Sequence, residues 1–278
     1  MRILGIHGVG NFRAAPSPDQ AAAQLADIWA SALSHSGPHE PRHAHYSREE
    51  VAVAYYADLL RREGSQGPGN LDSLDDFERD LVALWLDASG LPEATAAGRA
   101  TAPLRQALAG LAKTRGLGQP ATEWFVAICF REVGAYLRGP AREQVRSRVA
   151  EALVVHRPTT VIAHSLGSIV AYETLWEHPE LSVELLVTLG SPLALPHAVF
   201  PRLQPAPVDE KGQRPPGVAC WVNLADPGDL VAIPPRGVQR CFKDVQEPRN
   251  QPIHAFDFHR AVNYLASSQL RTLLQKYA

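Results

Sequence analysis

The sequence predicts an α/β fold with a mostly parallel central sheet flanked by helices, and two observations carry that prediction. Short apolar or β-branched runs alternate with longer amphipathic stretches along most of the chain, the pattern that builds a layered α/β sheet. One of those runs, Thr160-Val161-Ile162-Ala163, leads through a serine between two small residues straight into a helical stretch. The composition suits such a fold, since 45% hydrophobic and 20% charged residues leave apolar mass for a large core. The 278 residues allow one large domain or two small ones.

Composition also excludes several classes of function. With 27 Lys+Arg against 29 Asp+Glu the formal net charge is -2, which provides no basic face for nucleic acid. No apolar run reaches the roughly 18 residues of a membrane span. The N-terminus lacks the long apolar stretch and small-residue cleavage site of a signal peptide, so a cytoplasmic location is expected. Cys129, Cys220 and Cys241 are scattered and without CxxC spacing. They read as buried thiols of a reduced compartment, with a Cys220–Cys241 bridge as the alternative.

In chain order, Ile3–Ile6 reads as a buried strand ended by the loop His7-Gly8-Val9-Gly10. Asp19 then caps a helix carrying Ala22, Leu25, Ala26, Ile28, Trp29 and Leu33, and Val51–Tyr56 is a second strand. After a break at Gly64–Asn70, three helical stretches follow at Leu71–Ala88, Thr101–Leu111 and Thr122–Leu137. Leu74, Phe77, Leu81, Leu84 and Trp85 form an apolar stripe on the first, and Trp124, Phe125, Ile128 and Val133 on the third. The block 61–139 is thus a helical insertion within a single domain 1–278, either covering the sheet or overhanging it as a cap. Alternation resumes with a helix at Ala141–Val155, a strand at Thr160–Ala163 and a helix at Gly167–Trp176. Strands follow at Glu184–Leu189, Val218–Leu224 and Val238–Phe242, and a helix at His259–Lys276 has Asp257 as its N-cap. Seven prolines make Ser191–Gly217 mostly irregular.

The chemistry concentrates at Ala163-His164-Ser165-Leu166-Gly167. Small residues two positions either side of the serine are what a tight strand-to-helix turn needs, and such a turn holds Ser165 out above the sheet as a nucleophile. The competing reading is a helix-capping serine. Ser191 also follows a glycine, but Pro192 forbids the helix that an elbow requires. The pair His43/His45 has metal-ligand spacing without further ligands and reads as a solvated loop. Arg138, Arg142, Arg146 and Arg148 read as a solvated helix face broken by Glu143.

Three stretches together carry a resemblance: Ile6-His7-Gly8-Val9-Gly10-Asn11, Ala163-His164-Ser165-Leu166-Gly167-Ser168 and Thr188-Leu189-Gly190-Ser191-Pro192-Leu193. In these the chain resembles the α/β-hydrolase superfamily, particularly its lipase/esterase-like serine hydrolases. The likeness covers 1–60 and 140–278, and says little about 61–139. Ala163 stands where the usual motif has glycine. The resemblance implies an α/β-hydrolase fold with an oxyanion hole from the backbone N–H groups of Val9 and Leu166, whereas a bland reading makes the His-Gly-Val-Gly loop only a tight turn. His7 is read as structural. The superfamily order of serine, acid, histidine then implies an acid after the strand ending at Leu224. Asp229 fits that place better, with Asp226 as the alternate and an ordinary turn carboxylate as the competing role for either. For the base, His259 is favoured and His254 is the alternate. Such a site takes a small-molecule ester or acyl substrate and needs no cofactor or metal. Thioesterase and acyltransferase chemistry use the same groups, and a non-catalytic binding module on the same fold is the alternative of another class.

Overall fold

In a computed structural model, which describes residues 1–35, 46–61, 70–90, 101–248, 253 and 259–277, six short strands pair into one all-parallel sheet. They are β1 (Ile3–Ile6), β2 (Val51–Ala54), β3 (Thr160–His164), β4 (Val183–Leu189), β5 (Val218–Leu224) and β6 (Val245–Gln246). Their order is β2-β1-β3-β4-β5-β6. The four residues of β1 and the five of β3 are all buried, as expected for strands covered on both faces.

Alternation along each strand divides the core in two. Ile3, Val53, Ile162 and Val187 face α1 (Pro18–Leu33) and, near the C-terminus, α8 (Ala261–Leu265) and α9 (Ser268–Leu274). Leu4, Ile6, Val161 and Leu186 face the opposite layer. That layer holds α2 (Asp76–Ala88), α3 (Thr101–Arg115), α4 (Gln119–Arg138), α5 (Ala141–His156), α6 (Leu166–Glu177) and α7 (Gly237–Cys241). Leu81, Trp85, Leu108, Phe130 and Val133 of the block between β2 and α5 belong to the same apolar cluster as Leu4 and Val161. No described helix is long and apolar enough to cross a membrane. All three cysteines are free thiols.

Several boundaries differ from expectation, each for a physical reason. Ser17 rather than Asp19 caps α1, because Ser17 accepts the Gln20 N–H and Pro18 supplies a preset first turn. The second strand stops at Ala54, since the Tyr56 N–H turns to the Nε2 of His7 instead of a neighbouring strand. Leu71–Ala88 is divided, with a 3₁₀ turn at Leu71–Ser73 and then α2 opened by a reciprocal Asp75–Glu78 capping box. Val238–Phe242 is not a strand. Val238 and Phe242 are buried four residues apart with Gln239 and Arg240 exposed between them, so the burial follows a helical turn, α7, and the last strand is β6. The expected helix His259–Lys276 is two helices, because Ser267 caps a new start by accepting the Leu270 N–H. The Gly64–Asn70 break lies mostly outside the described residues, as do His43, His45 and Asp257.

The arginine run, which begins at the last residue of α4 and continues on α5, is not wholly solvated. Glu173 of α6 is fully buried and accepts hydrogen bonds from Arg142 (Nε, 2.9 Å), Tyr136 (2.7 Å) and the Gln204 amide (3.1 Å). This cluster ties α4, α5 and α6 to the loop after β4. Arg142 also donates to the Arg202 carbonyl at 2.7 Å. Breaking one side of such a pair leaves a buried charge uncompensated, at a typical cost of about 3–5 kcal/mol. Glu173→Ala is expected to lower unfolding free energy by about that amount in urea denaturation. A loss below about 1 kcal/mol would place the pair in solvent.

Candidate active site

The strand order places β1 and β3 side by side, and the helices that follow them lie on opposite faces, α1 in one layer and α6 in the other. Parallel sheets bind ligands at the carboxyl ends of strands where the winding reverses in this way. The His-Gly-Val-Gly loop leaves β1 at that point and Ser165 leaves β3 beside it.

Ser165 has φ 54° and ψ -126°, a backbone conformation that L side chains rarely adopt. Its N–H continues the sheet by donating to the Leu189 carbonyl at 3.0 Å, and α6 begins at the next residue. Gly167 shows why the turn needs a small residue there: a Cβ would stand 2.3 Å from the Ile6 carbonyl oxygen. Ser168 donates its hydroxyl to the Ser165 carbonyl at 2.6 Å and meets the Ser191 hydroxyl at 2.7 Å. Ser191 is therefore buried support for the turn. Ser165 itself is only 1% exposed rather than open above the sheet, because His259 lies against its hydroxyl and the Gly8 backbone passes close to its Cβ.

Ser165, His259 and Asp229 come together in one hydrogen-bonded chain from three separate segments. His259 Nε2 lies 2.8 Å from Ser165 Oγ, and His259 Nδ1 lies 2.9 and 2.8 Å from the two oxygens of Asp229. A carboxylate can only accept, so Nδ1 carries the proton and Nε2 offers its lone pair to the serine hydroxyl. Asp229 is held in turn by the amide of Val231 at 2.8 Å and the hydroxyl of Tyr264 at 2.7 Å. Burial and the neighbouring Asp229 push the Tyr264 phenol far above its usual range, so it stays a donor. Gly190, at φ 54°, passes so close that a Cβ would sit 2.6 Å from Asp229 Oδ2. Trp85 of α2 donates to the Leu230 carbonyl at 2.7 Å, pinning the acid loop to the helical block.

Asp226 serves its own turn instead. Its Oδ1 accepts the Gly228 N–H at 2.7 Å, and its Oδ2 accepts from the Ile253 amide. His254 lies outside the described residues.

The loop after β1 is fixed by groups that give it direction. His7 donates Nδ1–H to the Gly8 carbonyl at 2.8 Å, accepts from the Tyr56 amide at Nε2 and stacks on the Tyr56 ring. Burial lowers its pKa to about 4, so it stays neutral. Asn11 donates to the Gly8 and Val9 carbonyls at 3.0 and 3.1 Å. Because N–H and C=O oppose each other in a trans peptide, fixing the Gly8 carbonyl also fixes the Val9 N–H. The Gly10 N–H is taken by Glu132 of α4 at 3.1 Å. Among the described residues, neither the Val9 nor the Leu166 amide has an acceptor.

A cavity of about 680 Å³ opens beside these groups. Val9, His164 and His259 line it, as do Leu117, just before α4, and Trp124, Phe125 and Ile128 of α4. The Phe125 ring meets the His259 ring edge-on at 5.5 Å. Of the helical block, this stretch is the part that lines the cavity. Phe77 takes no part and packs beneath Arg138 and Arg202. A depression of about 720 Å³ beside Arg157 and Ser182 lies at the amino ends of β3 and β4, away from this chemistry.

The sequence reading did not find Asn11, Glu132, Gly190 or Trp85 as site-forming residues. Asn11 follows the glycine loop directly and was within reach. Glu132 and Trp85 sit on helices far along the chain, and nothing local marks their partners.

Burial raises the Glu132 carboxyl to about 7, against the opposite pull of the Gly10 amide and Arg131. The unfolded chain therefore ionises first, near pH 4.5, and stability falls as pH rises from about 4.5 to about 7, then levels. Glu132→Gln is expected to gain stability relative to the parent over that window, read from melting temperatures at pH 4.5 to 8. A difference constant with pH would put the carboxylate in water. Compared with protein-family models, curated proteins and solved structures, the chain matches none.

Proposed function

We propose that the chain is a serine hydrolase of α/β-hydrolase type that cleaves carboxylic esters through an acyl-enzyme on Ser165. The observation that carries this reading is the hydrogen-bonded chain from Ser165 Oγ through His259 to Asp229. A serine hydroxyl is a weak nucleophile until a base stands within reach, and 2.8 Å is such a distance.

In the proposed reaction Ser165 Oγ forms a bond to the ester carbonyl carbon while its proton passes to His259 Nε2. The carbonyl electron pair moves onto oxygen, where the N–H groups of Val9 and Leu166 meet the charge. Two such fixed donors suit acyl transfer, and loss of one typically costs ~10²–10³ in rate. Collapse breaks the ester C–O bond, and the imidazolium returns its proton to the departing alkoxide. A water then repeats the sequence on the acyl-enzyme and frees Ser165. Asp229 remains ionised throughout, holding the tautomer and stabilising the imidazolium.

Ser165→Ala is expected to abolish hydrolysis of p-nitrophenyl esters and labelling by a fluorophosphonate, with little change in melting temperature. Asp229→Asn is expected to lower kcat by about 10⁴ by leaving the wrong tautomer, and Asp226→Asn by far less. Native protein that is folded yet takes no label would favour a binding module instead.

The apolar wall of the cavity supports an acyl-chain substrate. Each methylene buried there adds up to about 0.8 kcal/mol until the space is filled. kcat/KM is expected to rise from C2 toward longer p-nitrophenyl esters, and Trp124→Ala to flatten the rise. A flat series in the parent would make the wall mere scaffold.

A further inference from the structure

The lining of the cavity is largely apolar, with Asn11, Thr122, His164 and His259 among it, and its formally charged side chains are of one sign. Arg13 and Arg260 line it, whereas no aspartate or glutamate does among the described residues. His164 adds no charge, because burial holds it neutral.

Arg13 is the unusual member. It stands two residues beyond Asn11, in the loop that carries the Val9 N–H, and is partly buried. Its backbone N–H donates to the Tyr55 hydroxyl at 3.1 Å. Its Nε is fully buried and has no hydrogen-bond partner, and no carboxylate pairs with its guanidinium among the described residues. Arg142, by contrast, is met by Glu173 and by a carbonyl. Nearby Asp58 is already engaged by Arg148 at 2.6 Å. The terminal nitrogens of Arg13 are not among the buried unpartnered atoms, so the guanidinium keeps donors open for an anion in a wall whose apolar surroundings strengthen its field.

On the reading of Ser165 as nucleophile, we propose that Arg13 recognises a negatively charged group on the substrate, which makes the substrate class an ester carrying a second, anionic end. A carboxylate or a phosphate presents the same planar or forked oxygens to a guanidinium, and either would be held by paired hydrogen bonds. The apolar wall of α4 then receives the chain between the anion and the scissile carbonyl.

The test compares p-nitrophenyl half-esters of the C4 to C8 α,ω-dicarboxylic acids with p-nitrophenyl esters of the equally long monocarboxylic acids. The half-ester is expected to be preferred in kcat/KM by tenfold or more at its best length, the preference shrinking as salt rises. Arg13→Gln is expected to bring the ratio of the two substrates to about one, whatever it does to either alone, and Arg13→Lys to restore part of it. A ratio near one in the parent, or one unmoved by Arg13→Gln, overturns the inference while leaving Ser165-dependent hydrolysis standing. A readout free of catalysis separates the two readings if no ester turns over. Monomethyl suberate is titrated into Ser165→Ala by the fluorescence of Trp29 and Trp124, which line the cavity. It is expected to bind at least tenfold more tightly than methyl octanoate and to lose that margin in Ser165→Ala/Arg13→Gln; equal binding overturns the inference.

Discussion

The backbone of Ser165 is held at φ 54°, ψ -126°, and much of the surrounding structure is the means of holding it. A non-glycine residue in such a region costs about 1–3 kcal/mol and persists only when its neighbours over-determine it. Here the Ser165 N–H is fixed by Leu189 and its carbonyl by both the amide and the hydroxyl of Ser168. Ser168 is locked by Ser191, whose oxygen also accepts the Leu193 amide at 3.2 Å. The absent side chain at Gly167 lets α6 start against the Ile6 carbonyl. The strands β1, β3 and β4 thus converge on one strained residue, and its hydroxyl direction follows from theirs.

The groups opposite Ser165 come from less regular segments, and Asp229 organises them. It receives His259, Tyr264 and the amide of Val231 at once, so one carboxylate sets the position of a loop, a helix and an imidazole. Tyr264 also accepts the Asp226 N–H at 2.9 Å, which couples the two ends of the acid turn. Trp85 reaches the same loop from α2, and Glu132 reaches the β1 loop from α4. The helical block is therefore tied to both sides of the site by single hydrogen bonds, besides walling the cavity. Its helices hold these contacts because Leu81, Leu108, Phe130 and Val133 bury them against the sheet.

Much of this was legible in the sequence wherever one local rule decided the outcome. Ile3–Ile6 is a dense apolar run, and all four of its residues are buried. The elbow was legible because Ala163, Ser165 and Gly167 are spaced as the turn requires. Val238–Phe242 misled because β-branched and aromatic residues favour strands, while burial of Val238 and Phe242 one helical turn apart decided otherwise. The choice between Asp226 and Asp229 was open because both sit in one turn, and only the position of His259, 30 residues on, separates them. Glu132 and Trp85 left no local signal, since their partners are set by how α2 and α4 pack.

Three histidines lie in series here, and their partners divide their roles. His164 contacts His259 ring to ring at 4.8 Å, and both its ring nitrogens are buried without a partner. His7 gives one nitrogen to a carbonyl and the other to an amide. Neither meets a carboxylate directly, and burial keeps both neutral near pH 7. A charge on His164 would repel one on His259, so its neutrality leaves room for an imidazolium next door. His259 alone has a carboxylate at one nitrogen and a hydroxyl at the other. In the proposed reaction the proton from Ser165 therefore has one place to go, and the neutral His164 ring packs against His259 without competing for it.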